Sequence, residues 1–245
     1  MKIYAVGIGP GDMDYLIPKA KEIISDCDVI VGYTKYIELI ADIIKGKEII
    51  GTGMTGETER CEGAFAEARK GKKVAVVSGG DAGIYGMAGL LFELSERYPG
   101  VEIEVIPGIT AAIAAASVLG SPLSNDFAAI SLSDLMTPWE VIEKRLAAAA
   151  EGDFVICLYN PRSTKRSDYI ERACDILLRH RPPETVCGYV KNALRKNKNE
   201  GESRICTLRE LSKADDIDMS TTVIIGNSAT KIIEGKLVTA RGYNI

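Results

Sequence analysis

Three glycine-rich segments are the places in this chain where a backbone can touch a ligand. They are Gly7-Ile8-Gly9-Pro10-Gly11-Asp12, Ser78-Gly79-Gly80-Asp81-Ala82-Gly83 and Ile106-Pro107-Gly108-Ile109-Thr110. Each follows a short apolar, β-branched run. Glycine there permits positive φ and lets main-chain N–H and C=O groups approach a bound molecule. Ligands of open α/β sheets sit beyond the carboxyl ends of the strands, so three such turns converging on one edge describe a ligand cleft. The first segment departs from G-x-G-x-x-G: Asp12 stands at the third glycine and Pro10 stiffens the turn. No acidic residue clearly ends the second strand, and a nicotinamide cofactor is therefore disfavoured. A Walker A pattern is absent. One histidine, His180, and six cysteines without C-x-x-C spacing cannot build a His-based metal centre, so no protein-bound metal is expected.

The second half carries hydroxyls and charge. Ser131 lies at an expected strand end with Ser133 and Asp134 just past it, and Ser131 is read as touching substrate. Ser133 or Thr137 can equally cap a helix starting at Pro138-Trp139, and Trp139, the sole tryptophan, fits buried packing better than a substrate platform. Basic residues cluster at Arg162, Lys165 and Arg166 and at Lys191, Arg195, Lys196 and Lys198. Such runs usually mark a solvated face, yet arginine also pairs with carboxylates through two parallel hydrogen bonds. Arg162 is read as facing the cleft, and Lys196 and Lys198 as ordinary surface.

The elements that must position these residues alternate as in an α/β fold. Strands are expected at 2–8, 28–31, 48–51, 73–77 and 102–106, with helices over 15–25, 35–44, 57–70, 84–97 and 109–119. After Gly120-Ser121-Pro122 the rhythm changes: strands at 127–132, 153–159, 185–190, 204–208, 221–225 and 236–239, and helices over 138–150, 165–180 and 208–213. This predicts two α/β domains, 1–120 and 121–245, with a junction near 118–126. The 245 residues, 46% hydrophobic and 26% charged, carry 30 Lys+Arg against 34 Asp+Glu. A net charge of −4 argues against nucleic-acid binding, which needs a concentrated basic face. The longest apolar stretch, 109–119, is too short for a membrane span. With no apolar leader pattern and scattered cysteines, a cytoplasmic protein with reduced thiols is expected.

GIGPGD, SGGDAGIYG and PGITAA, in this order, resemble the class III S-adenosylmethionine-dependent methyltransferases, the tetrapyrrole methylase family. SLSDLMTPW (131–139), LYNPRS (158–163), TTVIIGNS (221–228) and VTARGY (238–243) extend the likeness over nearly the whole chain. They are similar to the branch that methylates precorrin-type tetrapyrroles at C17, with ring contraction, in cobalamin biosynthesis. The resemblance implies two αβα domains with the cofactor cleft between them, a homodimer, and S-adenosylmethionine as methyl donor. It places Pro10, Gly79, Gly80, Asp81, Ile84, Thr110 and Ala111 on the cofactor, joined by Asn160 and Ala193 from the second domain. Arg162, Arg166, Lys191 and Arg195 are expected on the substrate's carboxylates.

Methyl transfer from a sulfonium needs mainly orientation of donor and acceptor, worth up to ~7–11 kcal/mol. Ring contraction with lactone formation also needs a general base. Asp12 is the first candidate, with Ser131 beside it as a catalytic residue. Asp12 is equally suited to capping the first helix, and Asp81 can cap the helix over 84–97 alongside its cofactor role. Metal-free and cobalt-containing substrates are both open at this point. So are a different tetrapyrrole position, a protein residue or ribosomal RNA as methyl acceptor, and a non-catalytic binding protein.

Overall fold

A computed structural model describes residues 1–163, 166–195 and 202–244. Lys165, Lys196 and Lys198 lie outside them. Two compact units divide the chain, Met1–Ala111 and Ala112–Ile245.

The first unit is built on five strands, β1 (Lys2–Gly7), β2 (Val29–Tyr33), β3 (Glu48–Thr52), β4 (Val74–Ser78) and β5 (Glu102–Ile106). They are all parallel, in the order β3-β2-β4-β1-β5. Alternation along the central strands explains why both faces are covered. Ile3, Ala5, Val29, Val31, Val74 and Val76 pack against α3 (Glu57–Arg69) and α4 (Ala88–Ser95). Val6, Ile8, Ile30, Ala75 and Val77 meet α1 (Pro18–Asp26) and α2 (Thr34–Glu38) on the opposite face. Parallel strands buried on both sides read as continuous apolar runs, as Val74–Val77 does.

The second unit's sheet has the order β10-β9-β11-β8-β7. Its strands are β7 (Phe127–Ser131), β8 (Val155–Tyr159), β9 (Val186–Lys191), β10 (Glu202–Thr207) and β11 (Thr221–Ile225). β7 and β8 pair in parallel, with Ser131 opposite Tyr159, while β11 runs antiparallel between β8 and β9. On one face lie α6 (Trp139–Glu151), α7 (Tyr169–Leu177) and α8 (Leu208–Leu211). On the other lie α5 (Ala111–Leu119) and Leu237 of β13 (Lys236–Thr239).

Several expectations shift. Pro18 occupies the first turn of α1, which starts there, and Met13–Tyr15 forms a separate 3-10 turn. The helix expected over 35–44 breaks after Glu38. The helix expected over 84–97 begins only at Ala88, and that expected over 165–180 at Tyr169. The division between units falls earlier than 120/121, because Ala112, Ala115, Ala116 and Leu119 of α5 pack on Val155, Cys157, Val190 and Ile224. Two short strands went unread. β6 (Gly120–Ser121) has two residues, and β12 (Thr230–Ile233) exposes three of its four, so neither shows an alternating pattern.

All six cysteines are unpaired and buried. Burial pushes the Cys27, Cys61, Cys157 and Cys174 thiols up to about 12 and Cys206 to about 11. They stay protonated and serve as small apolar packing groups. No described helix is long and apolar enough to cross a membrane.

Candidate functional site

The strand order of the first unit locates its ligand edge. The chain leaves β1 toward β2 in one direction and leaves β4 toward β5 in the other. Right-handed crossovers therefore carry α1 and α4 to opposite faces. β1 and β4 are neighbours, so the loops at their carboxyl ends part and open a crevice, the topological switch point. GIGPGD and SGGDAG are those two loops.

They are locked to each other and to the third. Gly9 N–H donates to Gly80 O at 3.0 Å and Gly80 N–H returns to Gly9 O at 2.8 Å. Asp81 ties the set together. One carboxylate oxygen accepts from Gly83 N–H (2.8 Å) and Ile84 N–H (3.2 Å), the other from Gly108 N–H (2.8 Å). Asp81 is thus a staple between the second and third loops and not the cap of α4, whose N-cap is Met87. The glycines are explained by the same packing. A Cβ on Gly7 would lie 2.7 Å from both Gly108 N and Gly80 O, and one on Gly108 only 2.2 Å from Gly80 O.

Asp12 accepts from Asp14 N–H at 3.0 Å and caps the short turn Met13–Tyr15, not α1. Pro10 is buried, Thr110 and Ala111 are half-buried, and Ile84 and Tyr85 are exposed. Gly79 lies under the Tyr36 ring, 2.7 Å from where a Cβ would sit.

In the second unit β7, β8 and β9 run in one direction, so Ser131, Asn160 and the segment after Lys191 emerge at one sheet edge. Ser131 Oγ accepts from Asn160 Nδ2 (2.9 Å) and from Ser133 N–H (3.2 Å). The start of α5 reaches this edge too: Ala112 N–H donates to the Tyr159 hydroxyl at 3.1 Å. Backbone strain gathers here. Asn160, Asn192 and Leu194 have φ of 52°, 50° and 53°, as Tyr85 has 55° in the first unit. Left-handed backbone at non-glycine residues costs about 1–3 kcal/mol and concentrates at ligand sites. Two of these residues flank Ala193. Asn160→Ala is therefore expected to be less stable than Asn160→Gly by roughly 1 kcal/mol, because only alanine resists the left-handed region. Both lose the bond to Ser131, and urea unfolding of the pair checks the difference.

The basic residues are less open than their sequence positions suggested. Arg162 Nη1 donates to Asp215 O at 3.1 Å, Lys191 pairs with Asp218 at 2.7 Å, and Arg195 reaches Asn192 Oδ1 at 3.4 Å. Arg166 is only 8% exposed. It bonds Ser163 Oγ at 3.1 Å, donates to Ser133 Oγ, and lies 3.8 Å from Asp134, whose other oxygen accepts from the Tyr169 hydroxyl. Trp139 packs against Tyr169, ring centroids 4.7 Å apart and planes tilted by 54°, and carries Arg172 over its face at 4.0 Å, so it is a packing residue. Ser133 and Thr137 do not cap α6, whose N-cap is Pro138. Sequence reading missed this Arg166–Asp134–Tyr169 group. Its one available signal was that SLSDLMTPW and LYNPRS both follow strands of the same parallel pair. Among the described residues no group of His, Cys, Asp and Glu could hold a metal ion.

The family profile of the tetrapyrrole (corrin/porphyrin) methylases matches residues 2–212. A probable cobalt-factor III C(17)-methyltransferase of Salmonella typhimurium is 47% identical over 98% of both chains. The cobalt-factor III methyltransferase of Priestia megaterium is 45% identical over 99% of this chain, which spans 45% of that longer protein. The crystal structure of the methyltransferase CobJ superposes with a TM-score of 0.88 at 35% identity, covering 98% of this chain and 99% of that one.

Proposed function

Because the chain belongs to the tetrapyrrole (corrin/porphyrin) methylases, we propose that it methylates cobalt-factor III at C17, with ring contraction, in cobalamin biosynthesis. Relatives sharing 45–47% of its residues are named for that substrate. The observation that carries the reading is the Asp81 staple, which fixes three backbone-lined loops at the switch point of a parallel sheet. Such an edge suits a ligand held through main-chain groups and small side chains. We assign Pro10, Gly79, Gly80, Asp81, Ile84, Thr110 and Ala111 to S-adenosylmethionine, with Asn160 and Ala193 assigned to it from the second unit.

S-adenosylmethionine supplies a methyl group already activated on sulfonium, so the residues of the chain have to orient and to move protons. With both lone pairs of Ser131 Oγ occupied by Asn160 and Ser133, its hydroxyl acts as a donor. That fits it to hold a substrate oxygen and not to remove a proton. Asp12, on the first loop, remains the proposed base for the lactone step. Arg162, Lys191 and Arg195 are proposed to face substrate carboxylates, whereas burial of Arg166 moves it to an internal role. The enzyme is further proposed to work in the cytoplasm, in keeping with its unpaired buried thiols, and as a homodimer.

Calorimetric titration with S-adenosylhomocysteine tests the cofactor assignment. Micromolar binding is expected for the natural protein, weakened at least tenfold, ~1.4 kcal/mol, in Asp81→Ala. Asp81→Asn should also weaken it, since one amide oxygen cannot serve three N–H donors on two sides. Absence of binding by the folded natural protein would sink the methyltransferase reading. Tight binding by both variants would remove only Asp81 and the second loop from the site.

A further inference from the structure

The segment Ser131–Trp139 is pinned along its length, with one exception. Its start is held by Asn160 on Ser131, its middle by Arg166 on Ser133 and Tyr169 on Asp134, and its end by the packing of Trp139 with Tyr169 and Arg172. Between these anchors Leu135 and Met136 stand out at 70% and 91% exposure. A mobile loop that exposes apolar side chains can fold them away. This one is anchored on both sides of the pair, by Arg166 on Ser133 and Tyr169 on Asp134 before it and by Trp139 on Tyr169 after it. Two adjacent large apolar side chains presented from a fixed loop form a contact surface.

We propose that Leu135 and Met136 are the apolar seat for the flat face of the tetrapyrrole macrocycle, and that Arg166 is the positioning residue that holds this seat in place. The proposal rests on the methylase reading for its ligand. The location favours that occupant: the same loop begins at Ser131, assigned above to a substrate oxygen, and half-buried Arg162, Lys191 and Arg195 lie at the ends of β8 and β9 on this sheet edge. A macrocycle with an apolar face and a carboxylate rim meets both features at once. Arg suits the anchoring role because its planar fork serves the Ser163 and Ser133 hydroxyls while lying against Asp134. A lysine ammonium cannot span all three.

Trp139, the sole tryptophan, anchors the loop and reports on it directly. Quenching of its fluorescence by cobalt-factor III measures tetrapyrrole binding without turnover and without S-adenosylmethionine. Leu135→Ser/Met136→Ser is expected to weaken that binding at least tenfold while leaving S-adenosylhomocysteine affinity and the melting temperature within error. Arg166→Met is expected to weaken tetrapyrrole binding similarly and to shift the Trp139 emission, with Arg166→Lys only partly restoring either. In the Arg166→Met background the two serine substitutions should add little, since the seat is already misplaced. Unchanged tetrapyrrole binding by the double serine variant would overturn the proposal. If that variant instead dissociated from dimer to monomer in sedimentation, the occupant would be a second copy of the chain. Full additivity with Arg166→Met would leave the seat and remove Arg166 from it. Failure of the natural protein to bind S-adenosylhomocysteine would count against the methylase reading and not against the seat, whose readout is tetrapyrrole binding.

Discussion

Gly108→Ala is expected to abolish measurable S-adenosylhomocysteine binding and to destabilise the protein by about 3 kcal/mol, at the upper end for an overpacked site. The added carbon would lie 2.2 Å from Gly80 O and 2.7 Å from Gly7 C. Both neighbours are backbone, so no side chain can swing aside, and relief requires the third loop to move away from the other two. That movement also breaks the bond from Gly108 N–H to Asp81, and the second loop then loses its tie to the third. Gly89→Ala is the matched control. Gly89 lies on the exposed side of α4 with nothing within 4 Å of the new carbon, and alanine is the better helix former. It should bind as the natural protein does and be no less stable. Calorimetry together with urea unfolding separates the two variants. A Gly108→Ala protein that bound normally would mean that the three loops are not one packed unit.

The second large effect is on stability alone. Arg181 is 6% exposed, and its two terminal nitrogens donate to Gly226 O, Ala149 O and Phe154 O. These carbonyls belong to the end of α6, the entry to β8 and the exit from β11, so one side chain gathers three elements at the sheet edge opposite Ser131. Burial lowers the affinity of the guanidinium for its proton, but its ordinary value is so high that it remains charged. Arg181→Met keeps most of the packing volume and removes every donor. Ala149 O keeps the Phe154 N–H at 3.0 Å, whereas leaving a buried carbonyl unsatisfied costs roughly 1–3 kcal/mol, so the expected loss is about 2–4 kcal/mol. Arg181→Lys should restore less than half, because an ammonium lacks the fork that reaches three acceptors. The midpoint of urea unfolding reads both. S-adenosylhomocysteine affinity should be unchanged wherever the variants remain folded, which distinguishes this residue from Gly108.

Much of the fold was legible because the sheets write themselves into local sequence. Val74–Val77 and Val29–Val31 are buried on both faces and read as unbroken apolar runs, and the three glycine loops follow their strands directly. What escaped reading depends on partners distant in the chain. Asp81 was read as a cofactor contact, with a helix cap as its alternative, because loop composition and a position before a helix are local signals, whereas its bond to Gly108 joins residues 27 apart. Arg166 looked like a substrate ligand because a basic cluster is visible in sequence and burial by Ser133 and Asp134 is not. α5 looked like the last helix of the first domain because its alanine-rich face carries no sign of which sheet receives it. β12 escaped for a different reason: pairing with β13 leaves three of its side chains in solvent, so no hydrophobic pattern records it.

The mutual contact of Gly7, Gly80 and Gly108 also ties the first loop to chain that is made much later. The three come from the ends of β1, β4 and β5, and their loops can close on one another only when all three strands have paired. Before that, each loop is a separate flexible turn with no staple. During synthesis the chain has to extend past Gly108 before the first loop can take its final form, although that loop is made within the first dozen residues. The capacity to hold a ligand at this edge therefore depends on the first unit's last strand as much as on its first.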